Sequence, residues 1–354
     1  MNGHHDRPSE SPASPAEVAS SLPESPPSRD TLSDVLEAVR LTGALFFLVD
    51  ASSPWAAEAP ATETLAPSIL TRGQHVVSYH LITRGSCWCE MDGMPSVPLV
   101  AGDVIVIPRG DAYALTSEPG LRSGLTLKEG LEWFHLMAEG RLPPVVEEGG
   151  GGPERIGVVC GFLGCDALPF NPVVATLPRL VHLRLPRGGA DHLGALIELA
   201  ASESREARPG TRSVLLRLGE LMFVEVIRRT LSSASAEQGG WLAGLRDPLV
   251  GRALALLHEK PARAWTLDDL SRKVGTSRSV LTERFTSLIG QAPMHYLASW
   301  RMLLAARRLA DSGAKVSAVA GEVGYESEAA FSRAFKRLTG VAPASWRSSR
   351  IRES

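Results

Sequence analysis

"GEVGYESEAAFSRAFKRLTGVAPASWR", residues 321–347, decides the fold of the C-terminal third. Val316, Val319, Ala320 and Val323 lead into it at helical spacing. Gly324 follows, and after a short turn Phe331, Phe335 and Leu338 make the apolar face of a second helix. Two short amphipathic helices around a small-residue turn form the helix-turn-helix pattern. Any helical hairpin can mimic one copy, but this chain has two. "TLDDLSRKVGTSRSVLTERFTSLIGQAPMHYL" from Thr266 lies over "KVSAVAGEVGYESEAAFSRAFKRLTGVAPASW" from Lys315. Val274-Gly275 matches Val323-Gly324 at an offset of 49, and past the turn Phe285 matches Phe335 and Pro293 matches Pro343 at 50. One extra residue in the second turn accounts for the slip, so the segment is a duplicated supersecondary unit. In the first copy Leu267, Leu270 and Val274 precede Gly275, which sits where a C-cap needs positive φ. Ser277 is a natural N-cap for the next helix, with Val280, Leu281, Phe285 and Leu288 as its apolar face.

Charge separates this third from the rest. From Arg246 onward there are 18 Lys and Arg against 10 Asp and Glu, and the remainder carries 19 against 29. A basic module on an acidic body points to a polyanion partner for that module alone.

The duplicated segment resembles the signature of the AraC/XylS family of bacterial transcription regulators, over roughly Pro248 to Arg347 and including the bridging stretch "WRMLLAARRLADSG". The resemblance implies two helix-turn-helix units joined by a long helix, offering two recognition helices to successive major-groove segments of double-stranded DNA. The family's base-contact positions match Ser279, Thr282 and Glu283 in the first unit and Ala329, Ser332 and Arg333 in the second. With Val280, Leu281 and Phe285 in the core, the outward set also includes Arg278, Arg284, Glu328 and Lys336. Arg can bridge guanine edges, Glu can accept from cytosine, and Ser or Thr serves base or phosphate. Arg301, Arg307 and Arg308 on the bridging helix are either structural or phosphate-facing.

In the acidic body, "HVVSYHLITRGSCWCEMDG" and "VPLVAGDVIVIPRGDAYALTS" are strand-like runs punctuated by Gly and Pro. They resemble the two conserved motifs of the cupin barrel, the sensor half of many AraC-type regulators. Metal-binding cupins draw two His and a Glu from the first motif and another His from the second. This chain has His80 and Glu90, a displaced His75, and Tyr113 at the last position. No metal and no cofactor are therefore expected. Between the barrel and the segment at Cys160, the run from Gly120 to Arg155 is rich in Gly and Pro and reads as a loose connection. "RIGVVCGFLGCDALPFNPVVATLP" resembles an element that follows the barrel in one branch of such sensors.

The sensor candidates are Cys87, Cys89, Cys160, Cys165, His80 and Tyr113. Alternation puts Cys87 and Cys89 on one face of a strand, and a bond between them would be strained. Three readings stay open: thiols lining a barrel interior, a redox or thiol-reactive sensor, and a soft-metal site. From Asp191 to Ser232, Leu215, Leu218, Met222 and Val226 mark the second helix of a hairpin joined through "ARPG". By family resemblance the pair is a dimerisation element; packing only on its own barrel is the alternative.

The expected architecture is α+β: an N-terminal cupin-like β-barrel with a helical hairpin, then an all-α double helix-turn-helix domain. Residues 1–30, rich in Pro, Ser and Glu, read as a disordered tail. The sensor spans 31–188, the dimerisation element 189–232, the linker 233–246 and the DNA-binding domain 247–350. No apolar run is long enough to cross a bilayer, and four cysteines without an export signal suggest a cytoplasmic protein. The expected function is a sequence-specific transcription regulator, a homodimer acting with RNA polymerase, whose barrel senses a small molecule or an oxidant. The other classes weighed are a cupin-type enzyme and a thiol-dependent DNA-repair protein. An incomplete His set stands against the first, and the lack of clustered zinc-ligand spacing stands against the second.

Overall fold

The computed structural model describes residues 30–38, 41–70, 75–143, 145–165, 174, 177–185, 191–206, 208–233, 240–311 and 314–352. The tail read over 1–30 therefore lies outside the described residues, save Asp30. Helix α1 (Thr31–Ala38) leads into β1 (Leu41–Ser52), β2 (Ala56–Ala59), α2 (Thr62–Ile69), β3 (His75–Arg84) and β4 (Ser86–Glu90). Next come β5 (Val97–Val100), β6 (Asp103–Ile107), β7 (Tyr113–Thr116), α3 (Leu127–Ala138), β8 (Val145–Gly149), β9 (Arg155–Cys165) and β10 (Val181–Arg184). The strands form one sheet in the order β10-β6-β3-β9-β1-β8 and a second in the order β2-β7-β4-β5. The α+β class and the barrel followed by a helical domain are as expected.

The middle strands of the larger sheet are covered on both faces, so they read as nearly continuous apolar runs. On β3, Val76 and Ile82 join the barrel interior, while Val77, Tyr79 and Leu81 face the other way. On β9, Val158, Cys160 and Phe162 point inward, while Val159, Leu163 and Cys165 point outward. Antiparallel register sets Cys160 opposite His80 of β3 and Phe47 of β1. Gly85, between β3 and β4, takes φ +73°, and a Cβ there would collide with the Arg155 carbonyl oxygen.

Residues 120–155 correct the expectation of a loose connection. They contain α3, which packs on α2, and β8, which pairs in parallel with β1. The helix starts at a capping box, in which the Thr126 hydroxyl accepts from the Glu129 backbone and the Glu129 carboxylate accepts from the Thr126 backbone.

The outer sheet face is covered by the hairpin α4 (His192–Glu206) and α5 (Thr211–Ser233). Leu215, Leu218, Met222 and Val226 are all buried in the core shared with β3 and β9. The stripe that marked the hairpin thus packs on the chain's own barrel.

The remaining helices are α6 (Trp241–Arg246), α7 (Pro248–Glu259), α8 (Leu267–Val274), α9 (Arg278–Ile289), α10 (Pro293–Asp311), α11 (Val316–Glu322), α12 (Glu328–Thr339) and α13 (Pro343–Arg352). Residues 241–246 are not linker, which corrects the second half of the span 233–246; 234–239 lie outside the described residues. Trp241 is fully buried, and its indole N–H donates to the Tyr296 hydroxyl at 2.8 Å. That hydroxyl bonds His258 Nε2 at 2.8 Å, and the imidazole stacks on Trp300 at 4.0 Å between centroids. Burial holds the His258 pKa down to about 3, outweighing the Asp34 carboxylate 3.9 Å from Nδ1.

Asp34 belongs to α1, which reaches across to pack on α7 and α10. Leu32 and Val35 of α1 join one continuous core with Tyr79, Met222, Trp241, Leu254 and Phe285. A separate core around Leu309, Val319, Phe331 and Phe335 holds the second helix-turn-helix unit.

Candidate sensor cavity and candidate DNA interface

Each helix-turn-helix unit is set by its turn. Gly275 ends α8 at φ +81° and Ser277 caps α9 through the Val280 N–H; Ser327 caps α12 through the Ala330 N–H. On α9, Leu281, Phe285 and Leu288 are buried, while Arg278, Ser279 and Glu283 are exposed and Thr282 is half-buried. On α12, Glu328, Ala329, Arg333 and Lys336 are exposed and Ser332 is half-buried. Among the described residues neither Arg333 nor Lys336 makes an ion pair.

Two expectations change here, and one of the two readings left open for Arg301 is selected. Arg284 is held at 2.8 Å by Asp247, whose carboxylate also caps α7 by accepting from the Leu249 and Val250 N–H groups. That anchors Arg284 to the scaffold rather than aiming it at DNA. Val280 is 49% exposed, not part of the core. Beside Ser279 it offers a methyl surface of the kind that meets thymine C5 groups. Arg301 donates to the Pro261 and Arg263 carbonyls at 2.7 and 2.8 Å, so it is structural.

The barrel holds a cavity of about 950 Å³ that is open to solvent on one side. His80 and Tyr113 share a 2.5 Å hydrogen bond on its wall, next to Cys160. Burial holds His80 neutral, its pKa lowered to about 3. An aromatic cluster forms another wall: Phe47 meets Trp133 at 5.2 Å and Phe162 at 5.9 Å, and Phe134 meets Phe162 at 5.2 Å. Glu148, on the edge strand β8 opposite Ala51, also lines the cavity.

A cupin family model matches residues 30–232, and a helix-turn-helix domain model matches residues 270–349. A putative AraC-like transcription regulator of Streptomyces lividans is 32% identical over 320 residues, covering 90% of this chain and 98% of that one. One of Streptomyces antibioticus, with the same description, is 30% identical, again over 90% and 98%. The chain belongs to the AraC-like transcription regulators. The DNA-binding domain of AdpA, solved in complex with a target DNA, is 34% identical and covers 30% of this chain and 96% of that one, with a TM-score of 0.29. The regulator's C-terminal unit is an AraC-type DNA-binding domain and its N-terminal unit a cupin. Among the described residues no helix is long and apolar enough to cross a membrane.

Within this AraC-like regulator the sensor candidates separate. His80, Tyr113 and Cys160 line the cavity; Cys87 and Cys89 are buried in the barrel core without reaching it, and Cys165 faces the hairpin. Burial and neighbouring thiol charge push Cys87 up to about 12, and burial raises Cys160 well above the ordinary thiol range. The thiolate is the reactive form, so these sulfurs are shielded twice. At pH 8 a water-soluble disulfide reagent is expected to label the native protein slowly and all four thiols at once after denaturation. Rapid native labelling of one thiol would restore the redox reading.

The cupin metal position does not fit a metal. Tyr113, at the place of the last His, occupies His80 Nε2, while the Glu90 carboxylate accepts from Ser96, Gly120 and Arg122. Sequence reasoning missed Trp133, Phe134 and Glu148. The capping box at Thr126 marked the helix that carries the two aromatics, but nothing local marked Glu148.

Proposed function

We propose that this regulator answers to a small molecule held in the barrel cavity, and that it works as a cytoplasmic homodimer with RNA polymerase as its downstream partner. One observation carries the reading. The strands whose inner residues line the cavity place their outer residues in the core shared with the first helix-turn-helix unit: His80 beside Tyr79 on β3, and Cys160 beside Val159 on β9. A ligand packed against the inner residues therefore acts one residue away from the core that seats Trp241 and Phe285. Only a ligand that binds two arrangements unequally shifts their balance, and a cavity whose walls come from both sheets and from α3 offers contacts that such arrangements can change. The dimer reading is supported by Leu199, Val214 and Leu221, apolar side chains that the hairpin leaves exposed after covering the barrel.

On this reading, filling the cavity from its half-buried wall residue Ala57 separates the two functions. Ala57→Trp is expected to bind the DNA upstream of its own gene within twofold of wild type in gel shifts. A reporter on that promoter, challenged with a panel of small molecules, is expected to respond with wild type and stay flat with the variant. A variant reporter that tracks wild type removes the cavity from the mechanism.

A further inference from the structure

The cavity's charge and its aromatic wall select a ligand class. Among the described residues four carboxylates face it, those of Glu58, Glu90, Asp92 and Glu148, against a single cation, Arg122. Arg122 is already committed to Glu90 at 2.7 Å. Glu148 differs from the other three, which are exposed or hydrogen-bonded at the rim. It is half-buried, and its carboxylate makes no hydrogen bond or ion pair among the described residues. Its position is fixed by parallel pairing of β8 with β1, which turns Val146 and Glu148 to the inner side. Burial raises its pKa, as expected for a carboxylate awaiting a counter-charge. Phe47, Trp133, Phe134 and Phe162 bring an aromatic cluster to the same space. At the mouth, Leu127 is 61% exposed, an apolar lip on an acidic opening.

We propose that the cavity takes a lipophilic organic cation, its apolar or aromatic body among Phe47, Trp133, Phe134 and Phe162 and its positive group against Glu148. A cation over aromatic faces gains from the ring quadrupoles, most of all where water is excluded. The ligand's positive group supplies the charge complement that the unpaired, half-buried Glu148 otherwise lacks. An anion of the same size would meet four carboxylates, so the site discriminates by sign as well as by shape. This proposal rests on the cavity being the effector site.

Tetraphenylphosphonium and tetraphenylborate are matched in size and apolar surface and opposite in charge, so they isolate the sign. Equilibrium dialysis on the full chain, without DNA, is expected to show saturable phosphonium binding at one per chain. Tetraphenylborate is expected to bind at least tenfold more weakly. Glu148→Gln is expected to lower phosphonium affinity at least tenfold while leaving the thermal midpoint no lower, because it removes an unpaired charge without changing shape. Equal binding of the two ions, no phosphonium binding, or an unchanged affinity in a folded Glu148→Gln protein overturns the proposal. Phosphonium binding that leaves operator affinity untouched upholds the cavity chemistry and counts against the effector reading, so the two fail separately.

Discussion

Replacing Arg333 and Lys336 together by Ala is expected to weaken operator binding about 100-fold, since a lost base contact costs about 1–3 kcal/mol and a lost phosphate contact adds to it. Both side chains are exposed and neither makes a hydrogen bond or ion pair among the described residues, so the fold has no reason to change. The signature lies in the salt dependence. Each lost phosphate contact flattens the slope of log affinity against log salt by about one. If Arg333 touches a base, discrimination between the operator and a scrambled duplex collapses as well; if both side chains touch only phosphate, all duplexes weaken alike. Retained affinity with an unchanged salt slope would remove α12 from the interface as drawn. An Arg284→Ala protein makes a contrasting control. Its partner Asp247 is buried and caps α7, so the loss is expected in stability before DNA contact.

Trp241→Ala is expected to destabilise the protein by about 3–5 kcal/mol, the cost of truncating a fully buried large side chain. It also removes the donor that holds the Tyr296 hydroxyl against His258. Trp241→Phe keeps most of the packing and loses the hydrogen bond, so a deficit of about 1 kcal/mol plus a small packing loss is expected. Chemical denaturation followed by circular dichroism reads both. An alanine variant as stable as wild type would return residues 241–246 to the status of a tether.

That residue shows where the sequence was legible and where it was not. The turns of the duplicated unit could be read because Gly275, Ser277 and Gly324 each answer a local backbone demand that few residues meet. The inner barrel strands could be read because burial on both faces leaves nearly continuous apolar runs. "SASAEQGG" looks like a linker and leads straight into Trp241, but where a linker stops depends on what the next side chain finds to pack on, and that is tertiary. Val280 sits at the border of an apolar stripe, and a border is decided by the neighbouring helix. Glu148 lies in a Gly-rich run whose inward turn exists only because β8 pairs in parallel with a strand nearly a hundred residues earlier. His80 and Tyr113 were singled out by comparison with a metal motif, yet what they share is a hydrogen bond in a neutral wall.

The shared core described above has a mechanical meaning. Barrel, hairpin, α1 and the first helix-turn-helix unit bury their side chains in one body, whereas the second unit packs around its own. Sensor and first unit are therefore joined by packed side chains, whereas the second unit shares its core with α10. The helix Arg278–Ile289 is thus seated in the same body as the barrel, and Glu328–Thr339 is tied to it along the bridging helix.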